Sequence, residues 1–292
     1  MSLLSLIAVF LIEQLQPLNY RRAVAEPLGA WAGFIEARFN AGAYQHGVIA
    51  WCLAVLPPVL LVGGLYALLY SLNPLLAWAL NVAVLYLTMG FRQFSHHYTE
   101  IQLALRLGDL DRARQLLAEW LGRSTYGMGS EDIARLAIEE ALAASHRHVF
   151  AVLLWFVILP GPCGALLYRM AAVMRERWGQ VDAAQHNDFS VFSRQVFGII
   201  DWLPSRATAS AFAIVGDFED AVYCWRTQPT QWPDRDLGIV LASGAGALGV
   251  QLGRPIADGV EVSDRAELGL GDPADVDFMQ SAVGLVWRAT VL

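Results

Sequence analysis

From residue 47 to residue 91 the chain carries no charged side chain. Those 45 positions suit two helices of about 20 residues, the length that crosses a hydrocarbon core of roughly 30 Å. The segment "SLNP" at 71–74 interrupts them with a turn signal. The pattern predicts a transmembrane hairpin over 47–91, its first arm kinked at Pro57 and Pro58. Arginines flank both ends, with Arg21, Arg22 and Arg38 before and Arg92, Arg106, Arg112 and Arg114 after. By the positive-inside rule both ends lie in the cytoplasm and the tip faces out.

The composition agrees. Apolar residues make up 56% of the 292 and charged residues 16%, against about 45–50% and about 25% in soluble domains. This is the composition of a polytopic membrane protein with lipid as a partner. The net charge is −7 and all 20 basic residues are arginine, which leaves no basic face for a nucleic acid. Cys52, Cys163 and Cys224 are far apart and form no CxxC pair, so no disulfide framework is expected. The start, "MSLLSLIAVFLIEQLQPL", lacks a basic n-region and a small-residue cleavage site. It reads as a retained helix, buried or interfacial. If it spans, Glu13 must face protein.

Residues 99–147 turn soluble in character, with apolar positions at helical spacing (Leu110, Ala113, Leu116, Leu117, Trp120, Leu121). A second helix opens at "SED", with Ser130 as its N-cap. Together they predict a cytoplasmic helical pair. The stretch 149–168 is uncharged but broken at Pro160-Gly161-Pro162, with arginines on both sides. A re-entrant pair over 148–170 keeps both basic clusters inside, and irregular backbone at depth is tolerated where protein surrounds it. Residues 216–236 read as a polar, aromatic cytoplasmic loop. A small-residue helix, a Gly/Asp-rich loop over 254–277 and an amphipathic helix close the chain.

Few motifs carry chemistry. Gly244-x-Gly246-x-x-Gly249 matches a dinucleotide fingerprint, but no βαβ unit surrounds it. Close helix packing by small residues explains it better. The pairs His96-His97 and His146-x-His148 do not share a helix face, so neither chelates alone, and no metal site is assigned. Both pairs fit a membrane edge, apolar ring body inward and polar tip outward. Glu139 and Glu140 suit a solvated helix face. Asp201 and Arg206 differ, because the apolar run 198–216 makes charge costly. Physics alone leaves two readings for them, a site wall or a structural ion pair.

Four stretches resemble the CobD/CbiB family, the adenosylcobinamide-phosphate synthases of cobalamin biosynthesis. "DWLPSRATA" resembles its Asn/Asp-Trp-x-Pro-x-Arg-x-Thr-Ala signature. "LRLGDLDRARQLLAEWLGRST", "ASGAGALGVQLGRP" and "LGLGDPADVDFMQSAVGLVWRATVL" are similar to three further family segments in the same order. The resemblance runs from about residue 90 to the end. It implies an inner-membrane, multi-pass protein that joins aminopropanol phosphate to adenosylcobyric acid with ATP and Mg²⁺. Such a site uses carboxylates around metal and arginines around phosphate. Carried over by position, Arg123, Thr125, Glu139, Asp201, Pro204 and Arg206 match. The resemblance implies Glu139 and Asp201 as catalytic carboxylates. It implies Arg123, Thr125 and Arg206 as contacts to a corrinoid or phosphorylated ligand, with Asp201 orienting Arg206.

The chain also departs from that pattern. Where the family runs Glu-x-x-x-Glu-Asn-x-x-Asp-Gly, this chain keeps Glu139 and then has Ala143, Ala144, Arg147 and His148. Only Glu13 stands where an N-terminal Gly-Asp-Pro signature is expected, and "AAVMRERW" replaces an Asn-x-x-Asp-x-Met stretch. "FRQFSHHY" and the aromatic pair Trp155-Phe156 resemble a sister group, the AmpE-like inner-membrane proteins linked to β-lactamase induction. That likeness implies a non-catalytic protein of ligand sensing or signalling. The expected fold is one all-α membrane domain over 1–292: a hairpin (47–91), a cytoplasmic lobe (99–147), broken or re-entrant segments (148–216), and a loop with two helices (217–292).

Overall fold

The computed structural model describes residues 2–15, 21–185, 188–254, 256–257, 262–263 and 266–292. The side chains of Arg21, Arg22 and Arg92, and much of the 254–277 loop, lie outside the described part. The chain is mostly helical: α1 (Ser2–Leu15), α2 (Glu26–Phe39), α3 (Tyr44–Leu72), α4 (Pro74–Thr88), α5 (Phe91–Arg106), α6 (Leu110–Leu121) and α7 (Ser130–Ser145). A π-helical turn (His146–Phe150) leads into α8 (Ala151–Ile158). Then follow α9 (Cys163–Gln185), α10 (Val191–Val215), α11 (Phe218–Thr227), α12 (Arg235–Leu248) and α13 (Val276–Val291). Two stretches are long and apolar enough to cross a membrane, Tyr44–Leu72 and Ser130–Ile158. The chain divides into two compact units, each discontinuous in sequence: Met1–Arg92 with Ala151–Trp202, and Gln93–Phe150 with Leu203–Leu292.

In the first unit the break between α3 and α4 falls at Asn73, whose side chain accepts the Leu75 N–H at 2.8 Å while Pro74 opens α4. Both are start signals for a helix. α3 runs on through Pro57 and Pro58 and packs against α4. It leaves leucines uncovered, Leu60 at 71% and Leu61 at 69% exposure. α4 has 15 residues, about 22 Å at 1.5 Å per residue, short of a full core. α1 packs against α4, and Glu13 is buried in protein. α8 and α9 form a packed pair broken at Pro160-Gly161-Pro162. There Gly161 has φ +64° with the Tyr66 ring against it, a place only glycine fits. The Trp155 indole ties α8 to the Ile200 carbonyl of α10 at 3.1 Å.

The second unit corrects several expectations. The helical pair over 99–147 is three helices, α5 to α7, and Gly129 rather than Ser130 occupies the cap position of α7. The loop expected over 216–236 holds α11, capped by Asp217, whose side chain accepts the Asp220 N–H at 3.1 Å. The all-α reading misses short strands: Val250–Gln251 pairs in parallel with Asp272–Pro273, and Ile256–Ala257 antiparallel with Val262–Ser263. α13 is pinned to α5 by the buried Tyr98 hydroxyl, which donates to the Met279 carbonyl at 2.7 Å. Burial holds that phenol well above its usual pKa.

The glycine-rich stretch is the inside of α12, which is buried along most of its length. A Cβ on Gly246 would stand 2.5 Å from the Asp220 carbonyl oxygen and 2.8 Å from the Ala221 Cα. One on Gly244 would meet Leu142 at 2.8 Å. α11 and α12 therefore approach backbone to backbone, and these glycines serve packing. Gly246→Val is expected to cost about 1–3 kcal/mol or more through overpacking. Denaturant unfolding in detergent would show it as a lowered midpoint, and an unchanged midpoint would contradict the close approach.

Candidate functional site

On α10, Asp201 is buried in the first unit, and Ser205 and Thr208 are buried in the second. Each has a polar partner. In the first unit the Tyr168 hydroxyl donates to Asp201 Oδ1 at 2.8 Å. In the second, Ser205 Oγ lies 3.4 Å from Asp236 Oδ1, and Thr208 Oγ1 shares a 2.9 Å hydrogen bond with His146 Nδ1. Arg206 Nη1 donates to Asp236 Oδ1 at 2.8 Å and to Ser205 Oγ at 3.3 Å.

The local sequence explains why Asp236 is there. Asp234 caps α12 by accepting the N–H groups of Asp236 and Leu237, both at 3.2 Å. That places Asp236 in the first turn, where a carboxylate is favoured by the helix dipole. The Arg206 and Asp236 side chains are 24% and 19% exposed, so solvent reaches the pair. A guanidinium has five N–H donors, and Asp236 and Ser205 both draw on Nη1. An incoming anion would compete with Asp236 for the rest. The ion pair shown for Arg206 is thus with Asp236, a residue the sequence reading did not single out.

Glu139 and His146 stand seven residues apart, again on one face. Glu139 is 4% exposed, and its Oε1 accepts the Gly253 N–H at 2.8 Å. It lies in the protein interior and not on a solvated face. Gly253 has φ +83°, and a Cβ there would strike the Ala266 carbonyl. The next residue, Arg254, is held at φ +58° with Gln251 at 2.6 Å, Glu131 at 3.1 Å and Glu267 at 3.3 Å around its guanidinium. Glu139 therefore fastens the chain just after α12. His146 is fully buried, which corrects the membrane-edge reading of the 146–148 pair. Its π-helical turn is the one signal that could have marked it, since such turns gather at functional sites. His96 is exposed beside Glu100 at 3.5 Å, and His97 stacks on Trp120.

The segment with Arg123 and Thr125 is built as a capped helix and a pinned turn. Asp109 accepts the Arg112 N–H at 3.0 Å to start α6, and Gly122 ends it in a left-handed conformation. The buried Thr125 donates its hydroxyl to the Arg114 carbonyl at 2.8 Å, while Arg114 Nε donates to the Met128 carbonyl at 2.9 Å. Arg123 sits half-exposed on that turn. Cys224 in α11 is buried and its thiol is pushed up to about 11, by desolvation first and then by the Asp220 charge. At neutral pH it is a protonated apolar side chain and no nucleophile. Among the described residues no group of three or more His, Cys, Asp or Glu side chains is gathered to hold a metal.

With this geometry in place, the comparisons decide the family. The model of the CobD/Cbib protein family matches residues 17–286. The chain belongs to the CobD/CbiB family. A cobalamin biosynthesis protein CobD of Stutzerimonas stutzeri is 35% identical over 97% of this chain and 93% of its own length. One from Chromobacterium violaceum is also 35% identical, over 74% of this chain and 68% of its own length. The cobalamin biosynthesis protein CbiB of Salmonella typhimurium is 25% identical over 84% and 78%. No solved structure matches. Against the family pattern, the Ala143 and Ala144 positions are buried on α7.

The Glu139 fastening makes a prediction. Glu139→Gln keeps an acceptor for Gly253, whereas Glu139→Ala leaves that buried N–H unsatisfied at a cost of about 1–3 kcal/mol. Thermal unfolding in detergent should show E139A well below E139Q. Equal losses in the two variants would contradict the assigned hydrogen bond.

Proposed function

We propose that this CobD/CbiB family member acts in cobalamin biosynthesis as a multi-pass protein of the bacterial inner membrane, joining aminopropanol phosphate to adenosylcobyric acid. The observation that carries the reading is the family match over residues 17–286, shared with relatives named cobalamin biosynthesis proteins. The uncovered leucines of α3 and its length support a membrane location. In that setting the broken α8–α9 pair re-enters from the cytoplasmic side, and 99–147 belongs to a cytoplasmic lobe.

The reaction is amide formation. The amine of aminopropanol phosphate attacks an activated carboxyl carbon, the leaving group departs with the C–O electrons, and the amine proton passes to a base. Arg206 and Arg123 are the anion contacts, Thr125 fixes the turn that presents Arg123, and Asp236 sets the Arg206 fork. Asp201 and Glu139 are the carboxylates assigned to the site, one held by Tyr168 and one by Gly253. ATP is the expected activating cofactor. Mg²⁺ is expected with it, since that ion takes one or two carboxylates together with the nucleotide's phosphates and needs no larger ligand set, none of three or more being gathered among the described residues.

A second reading has its own support. Ala143, Ala144 and Arg147 stand where the family pattern has Glu, Asn and Asp, which removes acids from a metal-nucleotide site. A non-catalytic relative that keeps the ligand cavity for sensing or signalling follows from that exchange. The deciding experiment supplies detergent-purified protein with adenosylcobyric acid, aminopropanol phosphate, ATP and Mg²⁺ and looks for adenosylcobinamide phosphate by mass spectrometry. Product supports the synthase. None, beside an active family member, supports the non-catalytic relative. Arg206→Ala should weaken ligand binding under both, by on the order of ten-fold or more, and unchanged affinity would remove Arg206 from the site.

A further inference from the structure

The chain enters α7 with no side chain capping its first turn. Gly129 holds the cap position at φ −79° and ψ 175° and makes no side-chain bond there. The N–H groups of Ser130, Glu131 and Asp132 have no acceptor among the described residues. The first bond back to the cap runs from the Ile133 N–H to the Gly129 carbonyl at 3.1 Å. Helix starts of this kind hold anions, but an open start alone names no ligand. Arg135 supplies the independent mark. It is 4% exposed, and of its five donors one meets Asp132 Oδ1 at 2.6 Å. Its Nε is sealed from water with no partner, and a buried donor left unmet is costly. Long helical side chains lean back towards the N-terminus. The Asp132 contact, three residues back, confirms that the guanidinium is aimed at the open turn.

A cavity of about 460 Å³ opens at this start, room enough for a small metabolite. α7 gives it Ser130 and Glu131, the segment leading into α13 gives Asp272 and Asp275, and α13 adds Phe278. The lining makes two opposite demands. The α7 start offers unmet N–H groups and the positive end of the helix dipole. The other side offers carboxylates: Asp275 spends one oxygen capping α13, and Asp272 has no side-chain partner among the described residues. Glu131 is already answered by Arg254 at 3.1 Å. A simple anion would be repelled by Asp272 and Asp275, and a simple cation would leave the N–H groups unmet. One molecule with an anion at one end and an ammonium at the other meets both. Three N–H groups and a guanidinium exceed what two carboxylate oxygens can use, and they suit the three oxygens of a phosphate monoester. The Phe278 ring gives the carbon stem an apolar surface.

We infer that the start of α7 is the subsite for an amino-alcohol phosphate, its phosphate on the N–H groups of 130–132 and the Arg135 fork, its ammonium on Asp272 and Asp275. Asp132 holds the fork until the phosphate arrives. The inference rests on the reading above, in which aminopropanol phosphate is a substrate, and it adds Arg135, Asp272 and Asp275 to that chemistry. Arg123 and Thr125 stand on the turn that leads into Gly129.

Equilibrium dialysis of the full chain in detergent against radiolabelled aminopropanol phosphate tests it. Unlabelled aminopropanol and inorganic phosphate should each compete about ten-fold or more weakly than unlabelled aminopropanol phosphate. Arg135→Gln should lose about ten-fold or more in affinity. Because that change alters a buried site, Gly129→Asp is the second variant. Its carboxylate caps the free N–H groups, so it should unfold no lower than the unmodified chain and still lose about ten-fold or more. Asp272→Asn, on an exposed side chain, should lose about three-fold. Unchanged affinity in Gly129→Asp overturns the subsite, and so does absence of binding. Equal competition by inorganic phosphate would leave an anion site only and overturns it too. The synthase reading is judged apart, by product in the mass-spectrometric assay. Product formed equally well by Gly129→Asp sinks the subsite and keeps the synthase. Binding that falls in Gly129→Asp, with no product from the unmodified chain, keeps the subsite and sinks the synthase.

Discussion

A polar side chain buried in an apolar helix must find a partner inside the protein, and in the second unit α10 carries two, Ser205 and Thr208. An unmet donor or acceptor there costs about 1–3 kcal/mol, so the helices around it are held to one register. In the second unit, Asp236 of α12 meets Ser205 and Arg206, and His146 meets Thr208. Ser243 adds a bond from α12 to the Ala209 carbonyl at 2.8 Å. Close packing locks the arrangement: Gly244 lets Leu142 approach, and Phe150 meets the Phe212 ring edge-on at 5.7 Å. Hydrogen bonds specify which faces meet, and glycines set how near they come.

This frame bears on function because it survives where the family's acidic chemistry has changed. The signature helix keeps Pro204, Arg206 and Thr208, and the Glu139 carboxylate fastens the chain after α12 through Gly253. On the same helix α7, Ala143 and Ala144 are buried. Alanine at those positions fills buried space without needing a polar partner. The chain keeps Arg206 paired with Asp236 across α10 and α12.

Much of this was legible beforehand, for identifiable reasons. An uncharged run broken at "SLNP" admits few structures, so α3 and α4 could be read directly. The Pro-Gly-Pro break between α8 and α9 was equally plain, since Gly161 needs a left-handed backbone. The GxGxxG match was correctly discounted for want of a βαβ unit. α11 was missed because its buried stripe is narrow, Ala221 and Cys224, and the Pro- and Trp-rich residues after it mimic a loop. His146 was misplaced because local sequence shows a polar residue beside an apolar run and cannot show Thr208 reaching it from 62 positions away. Asp236 was hidden for the same reason: two aspartates before a helix look like caps, and only Asp234 is one. Partners distant in sequence are what the reading of one segment at a time cannot supply.

The most direct test of the frame is a double-mutant cycle on His146 and Thr208. Stabilities of His146→Leu, Thr208→Val and the double variant would be measured by denaturant unfolding in detergent. A real hydrogen bond predicts a coupling energy of about 1 kcal/mol, the double variant losing less than the sum of the singles. Additive losses would mean that the two side chains do not hold each other, and that α10 is positioned by packing alone.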